Sequence, residues 1–375
     1  MIYFDNAATG GFKPSAVTES VFSAVKYLCA NPSRSSHKLA YLAGDCVYKT
    51  RSKLSSFFNA VSPSHVVFTK NCTEALNTAI LGSNVKGEVL TTVFEHNSVL
   101  RPLYYLEKKG DITIKIIEPE NGRFITASDV IKNFSSRTKM VIVSGASNVT
   151  GEVNEIEKIG AFLKDKNAVY LVDGAQLGGH YPIDVQRFNI DYLCLACHKG
   201  LYSIMGLGAL IFSSKVKPLP LTMGGTGTET FNLNQPDVYP ERLESGTLNL
   251  PAICSLEEGL LYLEKNADFI REYLTNLTDY LTVKLCEISG VTVYTRKNPV
   301  GITAFSIAGI DSNEVSELLS SKYDIAVRGG FHCAPLTHKF LNTQDSGLVR
   351  ASICPHNTKR EVNALISAIK DISAR

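Results

Sequence analysis

No stretch of this 375-residue chain holds the roughly 18 uninterrupted apolar residues of a membrane-crossing helix. No block of like charges stands out, and 38 basic residues against 36 acidic ones leave a net charge of +2. The clustered basic surface that nucleic-acid binding uses is therefore missing. Neither nucleic acid nor membrane is an expected partner. Residues 1–5 enter a strand-like segment at once, without a basic region followed by a long apolar one. Internal repeats and low-complexity tracts are absent too. Nine cysteines are scattered at 29, 46, 72, 194, 197, 254, 286, 333 and 354. In a chain of this size, with no export signal, they read as free thiols rather than a disulfide framework. The expected location is the cytoplasm.

Hydrophobic residues make up 44% of the chain and charged ones 20%, a soluble globular balance. The length allows a large core and two domains. Short apolar runs at 66–69, 88–92, 112–117, 140–146, 169–173, 191–196 and 209–212 predict strands. Helical patterns at 73–81 and 156–164 lie between them. That alternation predicts an α/β fold with a mostly parallel sheet flanked by helices. Ligands in such sheets sit at the carboxyl ends of the strands. After about residue 251 a long helical region runs to about 287. Shorter strands at 291–295, 302–307, 326–329 and 349–353 follow, then a closing helix at 358–372. The expected division is a large domain over 13–250 and a smaller α+β domain over 1–12 and 251–375. The Pro/Gly-rich segment 218–227 reads as a surface loop.

The strongest single feature is Lys199, placed after His198 at the end of the apolar run from Ile190 to Cys197. A lysine in such a place is desolvated, which lowers its pKa and makes it a nucleophile toward aldehydes. Asp173 ends a second apolar strand, with Gln176 three residues on. A carboxylate paired with an imine-forming lysine suits pyridoxal phosphate (PLP), whose ring nitrogen must stay protonated; taken alone, the phrase also fits an Asx turn. Thr73 can cap a helix whose exposed amides would bind a phosphate, although a plain cap fits equally. His96 could stack on a planar ring, and Asn148 could donate to a ring hydroxyl. Cys194 to His198 matches a haem-attachment pattern, but without an export signal, and with both cysteines in an apolar run, it reads as strand. Cys333 lies between Gly329-Gly330 and Pro335, with His332 beside it and Arg328 nearby. A cationic neighbour would lower its thiol pKa and make it nucleophilic. Arg350, on an apolar strand, could bind an α-carboxylate in bidentate fashion or make a structural ion pair.

Taken together, the motifs resemble the class V aminotransferase-like, fold-type I PLP enzymes, most closely the cysteine desulfurases and selenocysteine lyases. The resemblance runs through Phe4 to Thr9, Asn31 to Arg34, Ser36 to Ala40, Cys72 to Asn77, Glu95 to Ser98, Val172 to Gln176, His198-Lys199, Glu244 to Thr247 and Arg328 to Pro335. It implies that Lys199 holds the cofactor aldehyde and moves protons at the substrate carbon. Asp173 would hold the ring nitrogen, His96 would stack on the ring, and Gln176 would contact its hydroxyl. Thr73 and His198 would hold the phosphate, with Cys72 and Cys197 in the same surroundings. Thr247 would reach the phosphate of a neighbouring subunit in a homodimer. Arg350 would bind the substrate carboxylate near Asn148, with His37 and Arg328 as further substrate contacts. Cys333 would take the sulfur of cysteine as a persulfide, leaving alanine. Its loop is similar to the short one of the group II, SufS-like desulfurases, which implies a docking sulfur-acceptor protein.

Several positions depart from the family pattern. Cys197 and Cys72 stand where hydroxyl residues are common, and a thiol is the poorer donor. Phe331 replaces a frequent His, and Gly10-Gly11-Phe12 replaces a small polar turn. Rival readings of the same chain are a selenocysteine lyase; a C–S lyase, transaminase or epimerase; and a non-catalytic sulfur-relay or scaffold protein.

Overall fold

The structure is a computed structural model that describes residues 1–32, 36–120 and 122–374. Ser33 and Arg34 of the sequence motif lie outside the described residues. Twelve strands are found among those described: β1 (Ile2–Tyr3), β2 (Val66–Thr69), β3 (Gly87–Thr92), β4 (Ile112–Ile117), β5 (Thr138–Ser144), β6 (Val169–Asp173), β7 (Tyr192–Ala196), β8 (Gly208–Phe212), β9 (Val291–Val293), β10 (Ile302–Ile307), β11 (Ile325–Ala326) and β12 (Val349–Ser352).

Seven of them form one sheet in the order β2-β8-β7-β6-β5-β3-β4. β7, β6, β5, β3 and β4 run parallel, as expected. Their inner residues, such as Val141, Ile142, Leu171, Val172, Leu193 and Leu195, are fully buried, which is why these strands read as continuous apolar runs. β8 is the exception and pairs antiparallel with both β7 and β2. Residues 197–207 contain no helix, and a parallel crossover needs a dozen or more residues. β5 also begins and ends two residues earlier than the apolar pattern suggests, at Ser144 rather than 146.

The long helix Leu250–Cys286 starts at an Asn249 cap and buries Ile253, Leu256, Leu260, Leu263 and Leu274. That spacing is one face of a helix. Beyond it, β12-β10-β9 make a small antiparallel sheet. The closing helix Lys359–Ser373 is held by a Thr358/Glu361 capping box, as its sequence signature predicts. β1 pairs in parallel with β11, so the first residues of the chain join its last third. No helix among the described residues is long and apolar enough to cross a membrane. All nine cysteines are free. Residues 218–227 lie in a loop without regular structure.

Candidate active site

Four neighbouring parallel strands deliver the predicted residues to one place. Past the carboxyl ends of β7, β6, β5 and β3 come Lys199, Asp173, Asn148 and His96. All four line a cleft of about 570 Å³, counted out to its open mouth. Cys72, Thr73, Gln176 and His198 line it as well, joined by Ser98 and Ser144.

The floor of the cleft is desolvated. Burial pushes the Lys199 ammonium below its ordinary range and the Asp173 carboxyl above its own. Asp173 Oδ1 accepts from Ala175 N at 2.9 Å and from Cys72 Sγ at 3.8 Å. The first contact is the Asx turn that the bland reading of this phrase anticipates. Asp173 therefore closes its own turn while facing the cleft. Burial also lowers His96 and His198 to about 4, so both rings are neutral at physiological pH. His96 caps helix Asn97–Lys108, its Nδ1 accepting from Ser98 N at 3.0 Å. Behind it, Glu95 is fully buried, accepts from Thr92 Oγ1, Ser144 N and Ser144 Oγ, and is raised to about 7 by burial.

The cap of helix Cys72–Leu81 is Asn71, whose side chain accepts from Glu74 N. This corrects the expectation that Thr73 caps it: an oxygen must precede the first turn to reach its amides. Thr73 lies within that turn and hydrogen-bonds Ser98 Oγ at 2.9 Å. Two hydroxyls and the helix start thus meet in the lining of the cleft, which His198 shares. Gln176 Nε2 donates to Ala7 O at 3.1 Å.

The cleft does not gather every predicted residue. Asn148 Nδ2 donates one of its two hydrogens to His332 O at 2.7 Å, which leaves the other for a ring hydroxyl. Its Oδ1 has no partner among the described residues, so it offers an acceptor. Cys197 is fully buried in the hydrophobic core and does not line the cleft, since the strand alternation points it away from its neighbour Ala196. Exposed His37 caps helix Lys38–Phe57, also outside the cleft. Thr247 is exposed on a surface turn and accepts from Asn31 Nδ2 at 3.3 Å.

Arg350 is 1% exposed, pairs with Asp5 at 3.0 Å and donates to Asn148 O at 2.9 Å. The structural ion pair is therefore present, but Nε has no partner among the described residues. Burial lowers its pKa to about 10, still charged. Arg328 lies opposite it, the two backbones exchanging hydrogen bonds of 3.1 and 2.8 Å.

Cys333 is exposed. Both His332 and Cys333 adopt left-handed backbone, with φ of 51° and 56°, at a cost of about 1–2 kcal/mol each. Their carbonyls are held, His332 O by Asn148 and Cys333 O by Asn97 N at 2.7 Å. The Cys333 backbone is thereby held beside the His96 turn. His332 is not the cation expected next to it. Burial, helped by Arg350, pushes its pKa to about 2.

These residues fit a flat, anionic aldehyde. A desolvated amine and a buried carboxylate line one cleft with a neutral imidazole, and hydroxyls at a helix start can take a phosphate. Asn148 Oδ1 and Arg350 Nε await polar partners. Sequence reasoning missed Ser98, Ser144, Glu95 and Asp5. All but Ser144 lie inside motifs it had singled out.

Known proteins resemble the chain along its length. The aminotransferase class-V family model matches residues 2–365. A probable cysteine desulfurase of Borreliella burgdorferi is 31% identical, with 99% of this chain and 92% of that protein aligned. One from Pyrococcus abyssi is also 31% identical, over 99% and 94%. The apo structure of a cysteine desulfurase from Thermococcus onnurineus NA1 superposes with a TM-score of 0.90 at 30% identity, covering 100% of this chain and 94% of that one.

Proposed function

Because the chain belongs to the class V aminotransferase family, we propose that it is a PLP-dependent cysteine desulfurase, moving the sulfur of L-cysteine onto Cys333 and releasing L-alanine. The observation that carries this reading is the exposed Cys333 thiol, pinned through its own carbonyl to the turn that carries His96.

When bound, PLP supplies an electron-withdrawing ring that weakens the bonds at the substrate's α-carbon. The chain's residues do the rest. Lys199 would hold the aldehyde. Its desolvation leaves a share of neutral amine able to take a proton from the α-carbon and return it. Asp173 would hold the ring nitrogen's proton, and that cation would in turn keep the buried carboxylate ionised. His96 would lie against the ring, with Thr73, Ser98 and His198 around the phosphate and Gln176 and Asn148 at the ring's polar edge. Arg350 would take the substrate carboxylate through its unpartnered Nε, while Asp5 keeps the buried guanidinium paired. Cys333 Sγ attacks the substrate sulfur: an S–S bond forms, the C–S bond breaks, and its electron pair remains on carbon to be protonated. Cysteine plus thiol thus becomes alanine plus persulfide.

Residues 329–334 form a short, well-anchored loop, which supports the group II type and a sulfur acceptor that comes to the thiol. A homodimer is supported by Phe231 and Leu233, each 99% exposed, and by exposed Thr247. We place residues 13–250 in the large domain and 1–12 with 251–375 in the small one, and the protein in the cytoplasm, in keeping with its free thiols.

The test is incubation with L-cysteine and a reductant, followed by alanine analysis. The wild type should release alanine, and Cys333→Ala should lose nearly all of it. Pyruvate as the product, or alanine release unchanged in Cys333→Ala, would overturn the reading.

A further inference from the structure

Gly10-Gly11-Phe12 departs from the family pattern, and the cleft's chemistry leaves the surrounding turn over residues 9–13 without a role. Its contacts converge on a single peptide group, the one joining His198 to Lys199. Gly10 N donates to His198 O at 3.1 Å, and Lys13 Nζ donates to the same oxygen at 2.9 Å. Thr9 Oγ1 meets the His198 ring at Nδ1, 3.0 Å away. On the far side of that peptide, Lys199 N donates to Ala196 O at 3.2 Å.

The two glycines make this approach possible. A Cβ at Gly10 would lie 3.2 Å from Lys199 O, and one at Gly11 would lie 2.5 Å from the Tyr3 ring. The Tyr3 hydroxyl donates to Asp5 O and Thr9 O, bracing the turn from behind. Lys13 itself is half-buried, and no carboxylate among the described residues pairs with it. Burial lowers its pKa to about 8. A lysine taken from water and given only a carbonyl is costly unless that contact serves something.

We propose that Lys13 is a positioning residue for Lys199: with Gly10 it grips the carbonyl of the His198–Lys199 peptide and so fixes the direction in which the Lys199 side chain leaves the backbone. The inference rests on reading Lys199 as the reactive amine. It predicts that the local backbone loosens when the ammonium is removed, and that turnover falls with substrate binding spared. Displacing a reacting group by about 1 Å can cut a rate by up to about a hundredfold.

The experiment compares wild type, Lys13→Met and Lys13→Arg. In cofactor-free protein, hydrogen exchange over residues 196–202 should speed up by about tenfold or more in Lys13→Met, because opening becomes local and easy. Other peptides and the melting temperature should change little. With cofactor and cysteine, kcat of Lys13→Met should drop by about tenfold or more with KM within about threefold. Lys13→Arg, which still donates, should recover most of both. An unchanged kcat in Lys13→Met overturns the proposal, as does exchange rising across the whole chain with a lowered melting temperature, which would mark a general folding role. Equal losses in Lys13→Arg and Lys13→Met also overturn it. If the wild type releases no alanine, the desulfurase reading fails, while the exchange measurement still judges Lys13.

Discussion

Replacing Glu244 by glutamine should destabilise the protein far more than its distance from the cleft suggests. Arg51 and Glu244 are 8% and 6% exposed and form a bidentate pair at 2.7 and 2.8 Å. Arg51 Nη1 also donates to Val66 O at 2.6 Å, Phe68 N donates to Glu244 Oε1 at 2.7 Å, and the guanidinium lies 4.7 Å from the Phe68 ring centre. Losing one charge leaves the other buried without a counter-ion, a loss of about 3–5 kcal/mol for pairs of this kind. Removing both with apolar residues of similar size is far milder, at about 2 kcal/mol or less. Glu244→Gln and Arg51→Met should therefore each fall in the upper range, while Arg51→Met with Glu244→Leu falls well short of their sum. The coupling should reach about 4 kcal/mol. The chain has no tryptophan, so equilibrium urea unfolding is best followed by circular dichroism. Single losses below about 1 kcal/mol that simply add in the double variant would show that the pair braces nothing.

Two further outcomes are expected. His332 is held neutral in the native state, with its pKa depressed from 6.5 to about 2, so below about pH 6.5 the unfolded chain binds a proton that the native one does not. Stability must then fall as pH drops through that window, and His332→Gln should flatten the slope by about 1.4 kcal/mol per pH unit in cofactor-free protein. An identical slope in urea titrations from pH 6.5 to 5 would count against it. Glu95, raised to about 7, acts in the opposite sense, since the native state keeps a proton that the unfolded chain releases above its ordinary value. Cys197→Ala should lower stability by about 1 kcal/mol through lost packing and leave the cofactor's dissociation constant within about twofold. A tenfold weaker cofactor would place the thiol in the site after all.

The parallel strands were legible because burial on both faces leaves unbroken apolar runs, and β2, β4, β6 and β10 fall where the pattern puts them. The direction of β8 was not, since it depends on the length and path of the connection rather than on the strand's own residues. Within the site, Lys199, Asp173 and Gln176 could be found because each follows directly from a strand end. Asp5 was hidden as a partner of Arg350, 345 positions away, because nothing local records such a pairing. The neutrality of His332 was equally invisible. A histidine beside a cysteine suggests a cation, and only its burial against Arg350 reverses that.

The opening residues of the chain hold Arg350 through Asp5, Gln176 through the Ala7 carbonyl and His198 through Thr9. Ala7 N in turn donates to Ser352 Oγ. During synthesis this segment leaves the ribosome hundreds of residues before its partners on β11 and β12 exist, and contacts so distant in sequence close late. Lys199 therefore gains its full setting only after the polypeptide is nearly finished, so that a truncated nascent product carries the lysine without the assembled pocket around it.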